Sequence, residues 1–245
     1  VLLILLAVLI GGSGATLSAQ GKYGADSANC IKYLSYYKEY YKQKNYDDAL
    51  PNWRKAYSIC PPTANQNMLI DGTTLIRRLI SKNAKNAIYK EALVDSLLKI
   101  HDLRAEYYPK YAVTALNNKG LDLVNYVKDD DKALFEGISD IVGRNGLQTK
   151  PSLYIFQLQS AVELYKAGTL DEEKIIDVYE KAIANLENTP CKTDKEKEDL
   201  VNVTETVENI FIQSKVASVE SLVALFTPRL EAAMDDLALS KAIVN

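Results

Sequence analysis

From Ser27 to Ser214 the apolar residues recur at spacings of three and four, and Gly and Pro fall mainly in the gaps between these periodic segments. A stripe of that period is buried by a helix and by no other regular element. No segment alternates apolar and polar residues long enough to make a strand. The spacing predicts helices at about 27–43, 47–59, 65–81, 86–107, 111–127, 131–144, 151–167, 171–188, 194–214, 218–226 and 228–234. Asp47 ahead of Ala49 and Leu50, Asp130 ahead of Ala133 and Leu134, and Asp171 ahead of a Glu-rich stretch read as helix starts. Gly143, Gly146 and Gly168 read as stops. With 47% hydrophobic residues and only 11 Gly and 7 Pro in 245 residues, the chain can bury a substantial core. The expected fold is all-α, with short connections making successive helices antiparallel neighbours.

One stretch separates a bundle from a solenoid. Cys30 to Pro62 reads CIKYLSYYKEYYKQKNYDDALPNWRKAYSICPP. It resembles a tetratricopeptide repeat (TPR), a helix–turn–helix unit of about 34 residues. In that likeness Tyr33, Tyr36 and Tyr40 take the large positions of the first helix. Ala49 and Ala56 are the small positions of the second, Trp53 its aromatic, and Pro61 the terminal proline. Tyr37 departs from the pattern, which prefers Gly or Ala there, and its bulk suggests a wider or terminal hairpin. Pro51 is expected in the first turn of the second helix, where a missing N–H costs little. Weaker echoes follow: Tyr165 to Gly168 with Tyr179 to Ala182, Tyr89 to Leu93, and Gly120 with Leu116, Leu123 and Ala133. One hairpin cannot bury both faces and needs stacked neighbours. The resemblance therefore implies a right-handed helical-hairpin solenoid of several degenerate repeats over 20–245. As a whole the chain is similar to exported bacterial TPR proteins of uncharacterised role.

Cys30 and Cys60 occupy repeat positions at the same end of the expected hairpin, so their side chains should meet. They form either a disulfide or a reduced pair of small apolar residues. Closing the loop would stabilise by roughly 3–4 kcal/mol in the chain-entropy model. Cys191 is left over, either paired with a cysteine past residue 245 or a lone loop thiol.

Val1 to Ile10 is an unbroken apolar run followed by small residues to Ala19, which reads as the hydrophobic part of a secretory signal over 1–19. Cleavage is expected after Ala19, with Ser13-x-Ala15 as a second site. The run is too short to span a bilayer, which takes about 20 apolar residues. The absence of an initiator Met and a basic leader suggests a signal entered partway. Leu237 to Val244 opens a further periodic segment, and more sequence is expected beyond it. The expected location is the periplasm or the outer membrane, with membrane association only through a partner.

Charge narrows the partners. The chain carries 29 Lys and Arg against 32 Asp and Glu, a formal −3, too little basic excess for a nucleic-acid backbone. One His and three Cys remove most hydrolase triads and transition-metal sites. His101 and Asp102 are adjacent on a helix and diverge, so His101 is expected on a helix surface or lining a groove. Asp102 and Glu106 share a face, with Arg104 on another, and read as a solvated surface. Asp129-Asp130-Asp131 lacks the glycine and closing Glu of a calcium loop and reads as a capping turn. Lys192 to Asp199 reads as a solvated helix start. No phosphate-binding glycine fingerprint is present. Asp26-Ser27-Ala28 and Asp95-Ser96-Leu97 resemble an O-glycosylation signal, a three-residue match that chance also supplies. No catalytic residue, metal or cofactor is expected.

Tyrosine is abundant, 16 against 4 Phe and one Trp, and Tyr33, Tyr36, Tyr37, Tyr40 and Tyr41 crowd one helix. The TPR likeness places Ile31, Leu34, Lys38 and Tyr41 on the concave side, where first helices hold peptides. The expected function is a protein-binding scaffold in the cell envelope, taking a protein or peptide on that face. The alternatives are a docking arm for an enzymatic or regulatory domain beyond residue 245, and a glycan-binding envelope protein in which exposed Tyr and Trp53 stack on sugars.

Overall fold

The computed structural model describes residues 21–216, with Val223, Thr227, Glu231 and Met234 beyond them. The segment expected to be a signal, most of the two expected helices after 216, and Leu237 to Val244 lie outside the described residues. Among the described residues the regular structure is all helical, with no strand. The helices are α1 Ser27–Lys42, α2 Tyr46–Ile59, α3 Gln66–Lys82, α4 Ala87–Tyr107, α5 Ala112–Tyr126, α6 Asp131–Asn145, α7 Ser152–Lys166, α8 Glu172–Glu187 and α9 Asp194–Ser214. Every helix end expected between 27 and 214 falls within one residue of these bounds.

The ends are set by local chemistry. Asp130 Oδ1 accepts the Ala133 N–H at 3.0 Å, and Asp171 Oδ1 accepts that of Lys174 at 2.8 Å, each capping a helix as expected. Thr193 and Glu196 form a reciprocal capping box at the start of α9. At α2 the cap is Asn45, two residues before the expected Asp47, because the Asn45 side-chain oxygen reaches the Asp48 N–H. That earlier start moves Pro51 into the second turn, where its missing N–H removes a bond the helix would otherwise make. Gly146 at φ 53° and Gly168 at φ 72° follow α6 and α7, while Gly143 stays inside α6.

The chain divides into two compact units, 1–71 and 72–245. In the first, α1 and α2 form an antiparallel hairpin closed by a Cys30–Cys60 disulfide with a Cα separation of 5.1 Å. Helix α1 buries Cys30, Leu34 and Tyr37, and α2 buries Ala49, Trp53 and Ala56. Both sets follow i, i+4, i+7, the stripe that a helix turns toward one neighbour. The two alanines remove the bulk that would hold the helices apart. Trp53 stacks on Tyr57 at 5.1 Å and donates its indole N–H to the Met68 carbonyl at 2.7 Å. Each such buried aromatic contributes about 1.5–3 kcal/mol through its apolar area.

In the second unit each helix from α4 to α9 packs on the next, and α5 also meets α7, as α7 meets α9. One core gathers Leu116, Leu123, Leu134, Ile138, Ile141 and Leu153. Another gathers Tyr154, Leu158, Tyr179, Leu186, Val207 and Phe211, with Tyr179 and Phe211 stacked at 4.1 Å. Gly120 sets the α5–α7 approach: a methyl group there would lie 2.5 Å from Leu153 Cδ1. Tyr179 and Ala182, expected as second-helix positions of a degenerate repeat, are buried on α8.

Candidate functional site

The residues singled out for binding lie on α1, and the fold sorts them unevenly. Ile31 is exposed, but Leu34 is buried at 8% exposure and offers no surface to a partner. Lys38 is committed internally, with Nζ 2.7 Å from Asp71 Oδ2 and 5.4 Å from the centre of the Tyr41 ring. Tyr41 itself sits half-buried, edge-on to Tyr46 at 5.3 Å. Tyr37 fills the interior with its hydroxyl 3.4 Å from the same Asp71 carboxylate. Burial, reinforced by that carboxylate, pushes the Tyr37 phenol well above its ordinary range. Asp71 thus binds two α1 side chains, and Lys38 is a structural cation.

The first-helix signature tyrosines are displaced the other way. Tyr36 is 49% and Tyr40 36% exposed, with Tyr33 half-buried beside them. Tyr36 and Tyr40, which the TPR likeness places at large positions of the first helix, lie off the inward stripe, which is Cys30, Leu34 and Tyr37. A helix advances about 100° per residue, so the two tyrosines lie on its flank. There Tyr33 and Tyr36 meet edge-on at 6.4 Å. The Lys32 amine lies 5.5 and 5.8 Å from their ring centres, and Lys55 of α2 reaches Tyr33 at 5.0 Å. Trp53, at 3% exposure, is withdrawn from any sugar-stacking role.

The chemistry-bearing residue of the second unit is His101, expected on a helix surface or groove and found at 2% exposure. Its Nε2 is 2.7 Å from Asp122 Oδ2. A carboxylate only accepts, so Nε2 carries the proton of this bond. Arg77 holds the same carboxylate through Nε at 2.8 Å and Nη2 at 2.7 Å. One buried acid therefore ties α3, α4 and α5 together. Burial pushes the Asp122 carboxyl up, but the hydrogen bonds from His101 and Arg77 outweigh it and hold the group below the usual carboxylate range. The bonds to Asp122 in turn raise Arg77. Nδ1 of His101 is buried without a hydrogen-bond partner. At this depth the imidazole, the carboxylate and the guanidinium together clamp the three helices.

The remaining polar candidates are structural or solvated. Asp102 accepts Lys119 Nζ at 2.8 and 2.9 Å and lies 3.7 Å from Arg144, while Glu106 points to solvent. Asp130 caps α6, and no group of three His, Cys, Asp or Glu among the described residues could hold a metal ion. Ser27 is exposed at the start of α1. Ser96 lies inside α4, donating to the Ala92 carbonyl, and the Leu97 that follows it is fully buried. Cys191 is a free thiol at the edge of a cleft of about 500 Å³ bordered by Pro151, Pro190, Glu196 and Leu200. No helix among the described residues is long and apolar enough to cross a membrane.

No protein-family model matches this chain, and neither a curated protein nor a solved structure matches it.

Proposed function

We propose that this chain is an exported, TPR-like scaffold that holds another protein and carries no catalytic chemistry of its own. The observation that carries the reading is the flank of α1, where Tyr36 and Tyr40 stand exposed beside Tyr33 and two lysines. Tyrosine gives large contact area for little lost side-chain entropy, which suits a docking surface. The buried polar chemistry, by contrast, is spent on holding helices together at Asp71 and Asp122. The succession α5, α7, α9, each in contact with the next, supports repeated hairpins stacked as a right-handed solenoid. The disulfide is consistent with an oxidising compartment, the periplasm or outer membrane in this reading. The docking residues move from Lys38 and Tyr41, which the fold engages internally, to Tyr33, Tyr36 and Tyr40.

The test is a cross-linked pull-down of the mature protein from its native envelope, beside the Tyr36→Ala/Tyr40→Ala variant. Recovery of one or a few proteins, lost in the variant, is expected. The same proteins recovered with both forms would exclude this face.

A further inference from the structure

The proposed docking surface has a charge character that selects among partners. Residues 1–71 carry seven Lys and Arg against five Asp and Glu, whereas the rest of the chain carries 22 against 27. Within the first unit Lys38 and Asp71 cancel, which leaves the α1–α2 hairpin cationic. Lys32 and Lys55 have no carboxylate within 4.0 Å among the described residues. In the second unit Lys166, Lys174, Lys181 and Lys197 each pair with a neighbouring acid.

The two free amines are also already placed. Both lie against the ring of Tyr33, and Lys32 is shared with Tyr36, so part of their rotamer freedom is gone before any partner arrives. A cation held on a ring face keeps N–H donors to spare, and pre-ordering lowers the entropy lost on binding. The exposed rings beside them supply apolar area with a hydroxyl at each edge.

Resting on the scaffold reading above, we infer that this face takes an acidic segment of a partner protein, its carboxylates meeting Lys32 and Lys55 and its aliphatic carbons lying on Tyr33, Tyr36 and Tyr40. A second copy presenting the same face would set these lysines against themselves, which disfavours a symmetric pair. Nucleic acid would need a longer run of cations than two amines on one hairpin flank.

The experiment is fluorescence anisotropy with the mature, disulfide-bonded chain and four labelled probes. These are a peptide alternating Glu and Leu, a Lys–Leu peptide, a Ser–Leu peptide and a poly-dT oligonucleotide. The Glu–Leu peptide is expected to bind about tenfold more tightly than the other three and to weaken as salt rises. Lys32→Glu/Lys55→Glu should remove roughly that tenfold preference. Lys85→Glu/Lys195→Glu, which changes net charge equally at exposed sites elsewhere, should leave it in place. Equal binding of the neutral or basic peptide, equal binding of poly-dT, or equal loss in both charge-reversal variants would overturn the inference. If the acidic preference is absent while the envelope pull-down still depends on Tyr36 and Tyr40, the partner chemistry is wrong and the scaffold reading stands.

Discussion

Replacing Asp122 with Asn tests how much of the second unit hangs on one buried carboxylate. The side chain accepts three hydrogen bonds, two from Arg77 and one from His101, and is itself 2% exposed. Asn keeps one acceptor oxygen, loses the charge and turns an N–H₂ toward existing donors. Arg77 is about a third exposed and recovers part of its loss from water, whereas His101 cannot. With hydrogen bonds to charged groups worth about 1.5–3 kcal/mol each, the expected loss is about 3 kcal/mol. Thermal unfolding followed by circular dichroism should show the transition of this unit falling by about 6–12 °C. Because the folded-state carboxyl is held below its unfolded value, its contribution is fully present above the unfolded value near pH 4 and is lost as pH falls through the folded one. The gap between wild type and Asp122→Asn should therefore be constant from about pH 5 upward and close below about pH 4. Arg77→Met alone should cost a comparable amount, and Arg77→Met/Asp122→Leu less than the sum of the single losses, since the pair leaves no stranded charge. A loss below about 0.5 kcal/mol, or strict additivity, would refute the clamp.

Other perturbations have separate readouts. Lys38→Ala leaves Asp71 with the Tyr37 hydroxyl as its remaining α1 donor, and a loss of about 1–3 kcal/mol is expected in urea unfolding; no loss would return Lys38 to the list of free surface cations. Reducing Cys30–Cys60 should destabilise the first hairpin by about 3–4 kcal/mol. Hydrogen exchange would register this as faster exchange in α1 and α2 with α7 and α8 unchanged. Gly120→Ala gains about 1 kcal/mol of helix propensity but forces a methyl group onto Leu153, so a net loss of about 1–2 kcal/mol is expected by thermal unfolding.

Helix limits were legible because they depend on near neighbours in the chain. Asp130, Asp171 and Thr193 each bond a backbone N–H three residues away, and sequence displays that distance directly. Asn45 was missed because Asp47 and Asp48 satisfy the same residue preferences and only the turn geometry separates them. The helical face was harder. The inward stripe of α1 and the tyrosine flank have the same period and differ by a rotation, which is decided by the disulfide at Cys30 and the small Ala49 and Ala56 opposite. The Asp122 clamp was invisible to a search among neighbours, since His101 lies 21 residues from its acid and Arg77 45 from it. Periodicity gave no help either: Asp122 is turned about 120° from the stripe of Leu116, Gly120 and Leu123, and of the buried residues of α5 it shares a direction only with Ala115, seven residues earlier.

The proposed docking surface is tested most directly by photo-cross-linking in the native envelope. Tyr36→benzoylphenylalanine and Tyr40→benzoylphenylalanine would be compared with Tyr107→benzoylphenylalanine, a similarly exposed position at 40% on α4. If the α1 flank is the docking face, the two α1 positions should give the same defined protein adduct and Tyr107 should not. Adducts confined to Tyr107, or no adduct at either α1 position, would contradict it.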